Sequence, residues 1–210
     1  MPREPGISEN EAFAREIAAI TEPYLWCSTF DRLNDPMEGF YRPSSRIRRA
    51  TNYDERIERV FDQKMNVGIA SFSDNRNNEL MWAHYAGNYS GICVAYRTTH
   101  LIAGLQRTVS LARIGCDDRL PRVVTGAEAD VRAILSQKKG TWSYEREWRI
   151  LGPVGRLTIS RPCVTHIYLG ALISPTHRDR ILAEFRGGAI SISEMVVKGY
   201  SHVWNPIHVR

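Results

Sequence analysis

Two hydrophobic rhythms alternate along this chain. Ser8 followed by Glu11 is a capping-box signature, and Phe13, Ile17 and Ile20 recur behind it at helical spacing. A helix is therefore expected to about Ile20, with Pro23 as its stop. Tyr24 to Phe30 has the aromatic and β-branched composition of a strand, and Asn34-Asp35-Pro36 marks a turn. Ser44 to Lys64 reads as one charged helix anchored by Ile47, Ile57, Val60 and Phe61, and Val67 to Phe72 as a buried strand. A polar loop, Asp74 to Asn78, leads to a short helix, Glu79 to Ala86, stopped by Gly87-Asn88.

Further on, Ile92–Tyr96 and Thr108–Ile114 read as strands around a helical turn at Thr98–Leu105. Cys116–Arg122 is a loop. Thr125 is expected to cap a helix to about Gln137 with Ala127, Val131, Ile134 and Leu135 on its apolar side. Trp142 to Ile150 reads as a strand, followed by strands at Leu157–Ile159 and His166–Leu169, a helix at Pro175–Phe185 and a strand at Ile190–Val197. This order lacks a strict βαβ rhythm, so the expected fold class is α+β: mostly antiparallel sheet with helices packed around it, in one domain over residues 1–210.

Composition adds modest constraints. A 210-residue chain that is 43% hydrophobic and 24% charged can bury a sizeable core. The net charge of +5 is compatible with a nucleic-acid or nucleotide partner without requiring one. Cys27, Cys93, Cys116 and Cys163 form no CxxC pair, which points to free thiols in a reducing compartment, with Cys27 and Cys93 buried. No secretory leader pattern opens the sequence and no apolar run is long enough for a membrane span, so the expected location is cytoplasmic. GxGxxG, P-loop, GxSxG and HExxH motifs are all missing.

The densest chemistry lies in Trp142-Ser143-Tyr144-Glu145-Arg146-Glu147-Trp148-Arg149-Ile150. On a strand, Glu145, Glu147 and Arg149 share one face. Two carboxylates are not tolerated unpaired in a core, so that face meets solvent, an arginine or a ligand. A second block, Leu80-Met81-Trp82-Ala83-His84-Tyr85-Ala86, offers His84 either as a hydrogen-bonded core histidine or, with Tyr85, as the border of a pocket for a flat ring. In a third block, Asn34 and Asp35 either fix a turn or, with Ser28, Thr29 and Glu38, approach a ligand. Arg46, Arg48 and Arg49 form one basic cluster, and Arg119, Arg122, Lys138 and Lys139 another; each is either a solvated face or a phosphate site.

Asn34-Asp35-Pro36-x-Glu38, Ser71-Phe72-Ser73, Leu80-Met81-Trp82-x-His84-Tyr85-Ala86, Gly91-Ile92-Cys93, Trp142-x-Tyr144-Glu145-x-Glu147-x-Arg149 and Ile167-Tyr168-Leu169-Gly170 occur in one order. Together they resemble the bacterial domain-of-unknown-function family 2971, which carries no settled activity. That pattern opens with a tyrosine-rich strand; Met1-Pro2-Arg3-Glu4-Pro5 stands here, so either that strand is lost or the true start lies upstream. A Ser-Thr strand followed by a late Glu-x-Glu is also similar to the Arg-Ser-Glu class of ADP-ribosyltransferases, whose sheet is split. This second resemblance implies NAD as cofactor, Glu147 on the nicotinamide-ribose hydroxyl, Glu145 orienting the acceptor, and Ser28, Thr29, Asn34, His84, Tyr85 and Arg149 around the cofactor. It also implies a protein or nucleic-acid acceptor and a setting in toxin action or phage defence. The class needs an early-strand arginine for the pyrophosphate, which has no counterpart here. Two rivals are a magnesium-dependent nuclease using Asp35, Glu38, Glu145 and Glu147, and a non-enzymatic nucleic-acid or protein-binding module.

Overall fold

The computed structural model describes residues 8–22, 24–125, 128–159 and 163–208. Pro2 to Pro5, the helix stop Pro23 and the helix anchor Ala127 lie outside the described residues. In chain order the elements are α1 (Glu9–Thr21), β1 (Tyr24–Cys27), β2 (Arg42–Pro43), α2 (Ser45–Arg48), α3 (Tyr53–Met65), β3 (Gly68–Ser73), α4 (Glu79–Tyr85), β4 (Ile92–Tyr96) and α5 (Thr98–Gly104). There follow β5 (Ser110–Arg113), β6 (Gly115–Cys116), β7 (Arg122–Val123), α6 (Glu128–Ile134), β8 (Gln137–Lys138), β9 (Glu147–Gly152), β10 (Gly155–Thr158), β11 (Val164–Leu169), α7 (Pro175–Glu184), β12 (Ser191–Lys198) and β13 (Ser201–Ile207). The fold is mixed α+β, with several mostly antiparallel sheets and helices around them. It divides into two compact units, each assembled from non-contiguous segments, so no single cut in the chain separates them.

The first unit gathers the residues up to Tyr24, Arg76–Leu105 and those from Ile159 on. Its sheet has the order β13-β12-β11-β4, antiparallel except for β11 and β12, which run parallel. Parallel neighbours need a long crossover, and α7 supplies it. Apolar residues of β11 and β12 (Ile167, Leu169, Ile192) bury against Phe13 and Ile20 of α1 and against Ile181 and Phe185. The Ser8–Glu11 capping box forms as expected. A second cluster collects Trp82, Ala86 and Met195, with Tyr168 and Trp204 packed against it. Gly170 is needed where the chain leaves β11: a Cβ there would stand 2.1 Å from the Tyr89 carbonyl oxygen. That close approach lets Gly170 and Leu172 donate to the carbonyls of Gly91 and Tyr89. The strand β13 is an element that the hydrophobic pattern does not announce, because Asn205 and Pro206 interrupt its alternation.

The second unit comprises Leu25–Asn75 and Gln106–Thr158. At its centre β9 lies between β3 and β5, antiparallel to both. Two short parallel pairs, β2 with β7 and β6 with β8, tie in the loops, and β1 pairs with β10. The core is Phe30, Ile47, Val60, Ile69, Val123, Val131, Ile134, Leu135 and Leu151. Alternation along β9 turns Leu151 toward that core, and with it Arg149 and Glu147.

Three expectations change here. The charged helix is two helices, α2 and α3, separated by Arg49-Ala50-Thr51-Asn52; Ile47 and Val60 anchor them, but Phe61 is 51% exposed. The strand from Tyr24 stops at Cys27: Ser28 makes one bridge to Ile69, and Phe30–Arg32 winds into a 3-10 turn. The helix after Thr125 ends at Ile134 rather than Gln137, which belongs to β8, and the Thr125 backbone N–H and hydroxyl both donate to the Asp130 carboxylate.

Candidate functional site

The run from Trp142 to Ile150 is not one strand. Gly140–Glu145 forms a 3-10 helix, Arg146 takes a left-handed conformation with φ 47°, and β9 begins at Glu147. The cause is tertiary. Glu145 is drawn inward by the Lys138 ammonium at 2.6 Å, and the Ser73 hydroxyl donates to the Glu145 carbonyl at 2.7 Å. A continuous strand could not bring both groups to those partners.

Glu145 therefore leaves the strand face, yet the two carboxylates still converge. Lys138 Nζ lies 2.6 Å from Glu145 Oε2 and 3.0 Å from Glu147 Oε2. Glu147 also accepts from Arg149 Nε at 2.7 Å and from an Arg149 terminal nitrogen at 3.1 Å. The opposite fork of Arg149 grips both oxygens of Glu38 at 2.7 and 2.8 Å, and its remaining N–H reaches the Leu135 carbonyl at 2.8 Å. Glu145, Lys138, Glu147, Arg149 and Glu38 thus form one chain of alternating charge. All five are buried, Arg149 completely. Three carboxylates against two cations leave one formal negative charge in excess.

Of the three environments open to the glutamate face, the arginine prevails, with a lysine beside it. A hollow of about 330 Å³ lies over the β6–β8 pair and is lined by Gly115, Cys116, Asp117, Ala133, Ser136 and Gln137. Neither glutamate lines it. Burial raises the pKa of the Cys116 thiol; Lys138 opposes that and the two glutamates reinforce it, so the group stays a protonated thiol rather than an activated nucleophile.

One member of the chain meets the surface indirectly. Ser71, an exposed residue paired with Arg149 in the β3–β9 register, lies on the Glu147 face, close enough to help lower the pKa of that carboxylate. Burial pushes the Glu147 pKa up, but the Arg149 and Lys138 charges and the Arg149 and Ser71 hydrogen bonds more than offset it, so it lies below the ordinary 4.5. Burial likewise opposes the Lys138 cation, and Glu147 with Glu145 outweigh it, holding its pKa above 10.5. The sign follows. A carboxylate with a depressed folded pKa contributes stability above its unfolded value, and loses it as pH falls through the folded one. A raised lysine contributes below 10.5 and loses it as pH rises. The urea midpoint should therefore fall on acidification below about pH 4.3, and Glu147→Gln should flatten that fall. An identical acid limb in wild type and variant would refute the assignment.

The other predicted site residues are distributed as follows. Ser28 is tied to Ile69 by both backbone groups, whereas Glu147 pairs with Ser73, four residues further along β3. That offset is about 13 Å at the rise of a strand, so Ser28 and Thr29 are not the hydroxyls beside Glu147. Arg149 has all five N–H groups engaged within the protein and none for a pyrophosphate. Asn34 is exposed, while Asp35 is buried and accepts the Met37 N–H at 2.9 Å, fixing the turn. His84 is exposed rather than a core histidine, edge-on to a partly exposed Tyr85; both belong to α4 in the first unit. Lys138 is withdrawn from the basic cluster expected around it; Lys139 stays exposed. Among the described residues no group of three or more His, Cys, Asp or Glu is placed to hold a metal ion. Cys27 and Cys163 are buried free thiols, Cys93 is half-buried and Cys116 exposed.

Two participants escape the sequence reading. Ser71 stands in the Ser71-Phe72-Ser73 motif, but nothing local shows that it stands beside Glu147. Lys64 is buried over the Phe30 ring at 4.3 Å and donates to the Gly39 carbonyl at 3.0 Å, closing the loop that delivers Glu38. Burial lowers its pKa. Its helical spacing from Val60 is the only trace of that role.

No protein-family model, curated protein or solved structure matches this chain. What the fold and site define is an α+β protein with a buried five-residue ion chain, no helix among the described residues being long and apolar enough to cross a membrane.

Proposed function

We propose that the chain is an NAD-dependent enzyme of ADP-ribosyltransferase type, with Glu147 as its catalytic carboxylate. The observation that carries this reading is the placement of Glu147: first residue of β9, after a left-handed turn, ionised and clamped, beside the exposed residue Ser71. A carboxylate accepts about four hydrogen bonds. Arg149 takes two and Lys138 one, which leaves a fourth position on the side of Ser71. A ribose hydroxyl can take that position, since Arg149 and Lys138 are buried.

The chemistry suits that geometry. Breaking the bond between nicotinamide and ribose C1′ sends the electron pair to the departing nicotinamide and leaves positive charge on the sugar, as in glycoside cleavage. A preorganised anion stabilises that charge without reorganising, and the excess negative charge of the ion chain acts in the same direction. The acceptor then bonds to C1′ and gives up its proton, toward Glu145 or solvent. The nuclease alternative asks Asp35, Glu38, Glu145 and Glu147 to release oxygens already bonded to Met37, Arg149 and Lys138.

Purified full-length protein incubated with NAD should release free nicotinamide, measured by chromatography, and the release should persist with EDTA. Ser71→Ala should raise KM more than it lowers kcat. Absence of both nicotinamide release and calorimetric NAD binding would overturn the proposal. So would magnesium-dependent cleavage of nucleic acid abolished by Glu147→Gln.

A further inference from the structure

The parallel pairing of β2 with β7 joins two arginine clusters that lie far apart in sequence. Arg42 and Arg122 are direct partners in that register. The single turn α2 follows at once and carries Arg46 and Arg48, with Arg49 at its end. Arg119 lies three residues before Arg122. All six are exposed, and none forms an ion pair among the described residues. No acidic residue occurs from Gly39 to Tyr53 or from Arg119 to Thr125. The carboxylates flanking the Arg119–Thr125 stretch are committed to backbone: Asp117 to the Arg119 N–H, Asp118 to the Gly140 N–H, and Asp130 to the N–H groups of Val124 and Thr125; Asp54 and Glu55, exposed on the first turn of α3, follow the other stretch.

We propose that this face binds the backbone of single-stranded nucleic acid, independently of the transferase reading. Every cation in it is an arginine. The guanidinium fork matches phosphate oxygens in pairs and stacks on bases, which an ammonium does not. Exposed apolar side chains stand two residues ahead of each paired arginine: Phe40, 56% exposed, before Arg42 and Leu120, 53% exposed, before Arg122. An aromatic platform among cations, here Phe40, is what an unstacked base requires, and duplex leaves it unused. The backbone beneath is rigid. Arg42 and Ser44 donate to the carbonyls of Pro121 and Val123 at 2.9 Å, and Ile47 and Val123 are anchored in the core. An anionic membrane is a poorer partner, because a membrane-surface helix needs a long apolar face and α2 is one turn.

The test is fluorescence anisotropy of a labelled oligothymidine with the full chain, across a sodium chloride series. Six neutralised phosphates on a single strand give a slope of log affinity against log salt of about −4. The pair Arg42→Glu with Arg122→Glu should weaken binding about tenfold or more and reduce the slope by roughly 1.4. Phe40→Ala should weaken binding with the slope unchanged. Arg186→Glu, on the first unit, should bind as wild type does. Urea titration of each variant establishes that it is folded. The proposal is overturned if wild type does not bind at low salt, if the folded arginine variants bind unchanged, or if phosphatidylserine vesicles are retained while the oligonucleotide is not.

Discussion

Arg149→Met should lower the stability of this protein by about 3–5 kcal/mol, the usual cost of removing one partner of a buried ion pair. Arg149 is fully buried, and its five N–H groups are divided among two carboxylates and a carbonyl. Methionine fills much of the volume and supplies no donor. Glu38 then loses both of its charge-assisted bonds within the core, and Glu147 keeps only Lys138 as a counter-charge. A buried carboxylate without a counter-charge either takes up a proton or admits water, and each costs free energy. Arg149→Lys should recover little, because one ammonium cannot fork to two carboxylates. The double variant Arg149→Met with Glu38→Met should be more stable than Arg149→Met alone, since it removes the orphaned charge along with its partner. Urea unfolding at pH 7 measures all three. A loss below about 1 kcal/mol for Arg149→Met would show that the ion chain contributes as little as a surface pair.

Glu147→Gln should reduce the rate of nicotinamide release by at least about a hundredfold, the scale expected when a preorganised electrostatic partner of the transition state is removed. Glutamine keeps the shape, and its amide oxygen can still accept from Arg149 or Lys138. What it lacks is the negative charge that the proposed transfer would set against the sugar. The loss should fall on kcat, because the charge that Glu147 opposes exists only as the bond breaks. Glu38→Gln is the control, altering the charge on the same arginine without touching Ser71. It should cost stability while retaining most of the activity per folded molecule. If the chain acts as a toxin or phage-defence effector, its expression should arrest bacterial growth, and the Glu147→Gln form should not. Equal loss of activity in Glu38→Gln and Glu147→Gln would reduce the site to a structural ion chain. Equal growth effects would remove the biological reading.

Several motifs legible in the sequence acquire a physical meaning from this arrangement. Asn34-Asp35-Pro36-x-Glu38 is a turn held by Asp35 that delivers Glu38 to Arg149. Ser71-Phe72-Ser73 places Ser71 beside the Glu147 carboxylate and sends the Ser73 hydroxyl to the Glu145 carbonyl. Glu145-x-Glu147-x-Arg149 supplies the middle of the ion chain. All of these belong to the second unit. The motifs at Gly91 and Gly170 serve the first, where backbone donors from Gly170 and Leu172 meet the turn around Tyr89. The proposal of kinship with family 2971 rests on the same residues.

Local rhythm and capping chemistry were enough to place most helices and strands, because a buried stripe recurs every 3.6 or 2 residues whatever lies opposite. The α+β class, the helix begun by Ser8 and the buried anchors Ile47, Val60 and Val131 all come from that source. What a carboxylate meets inside the protein has no such local record. Lys138 and Lys139 are indistinguishable neighbours in the sequence; only the β6–β8 pairing turns the first inward to two glutamates and leaves the second in solvent. Glu38 and Arg149 are 111 residues apart and meet because β9 and the Asp35 turn converge on one core. Tertiary contact also decided where β9 starts, since a buried ammonium attracting two carboxylates outweighs the strand preference of Trp142 to Tyr144.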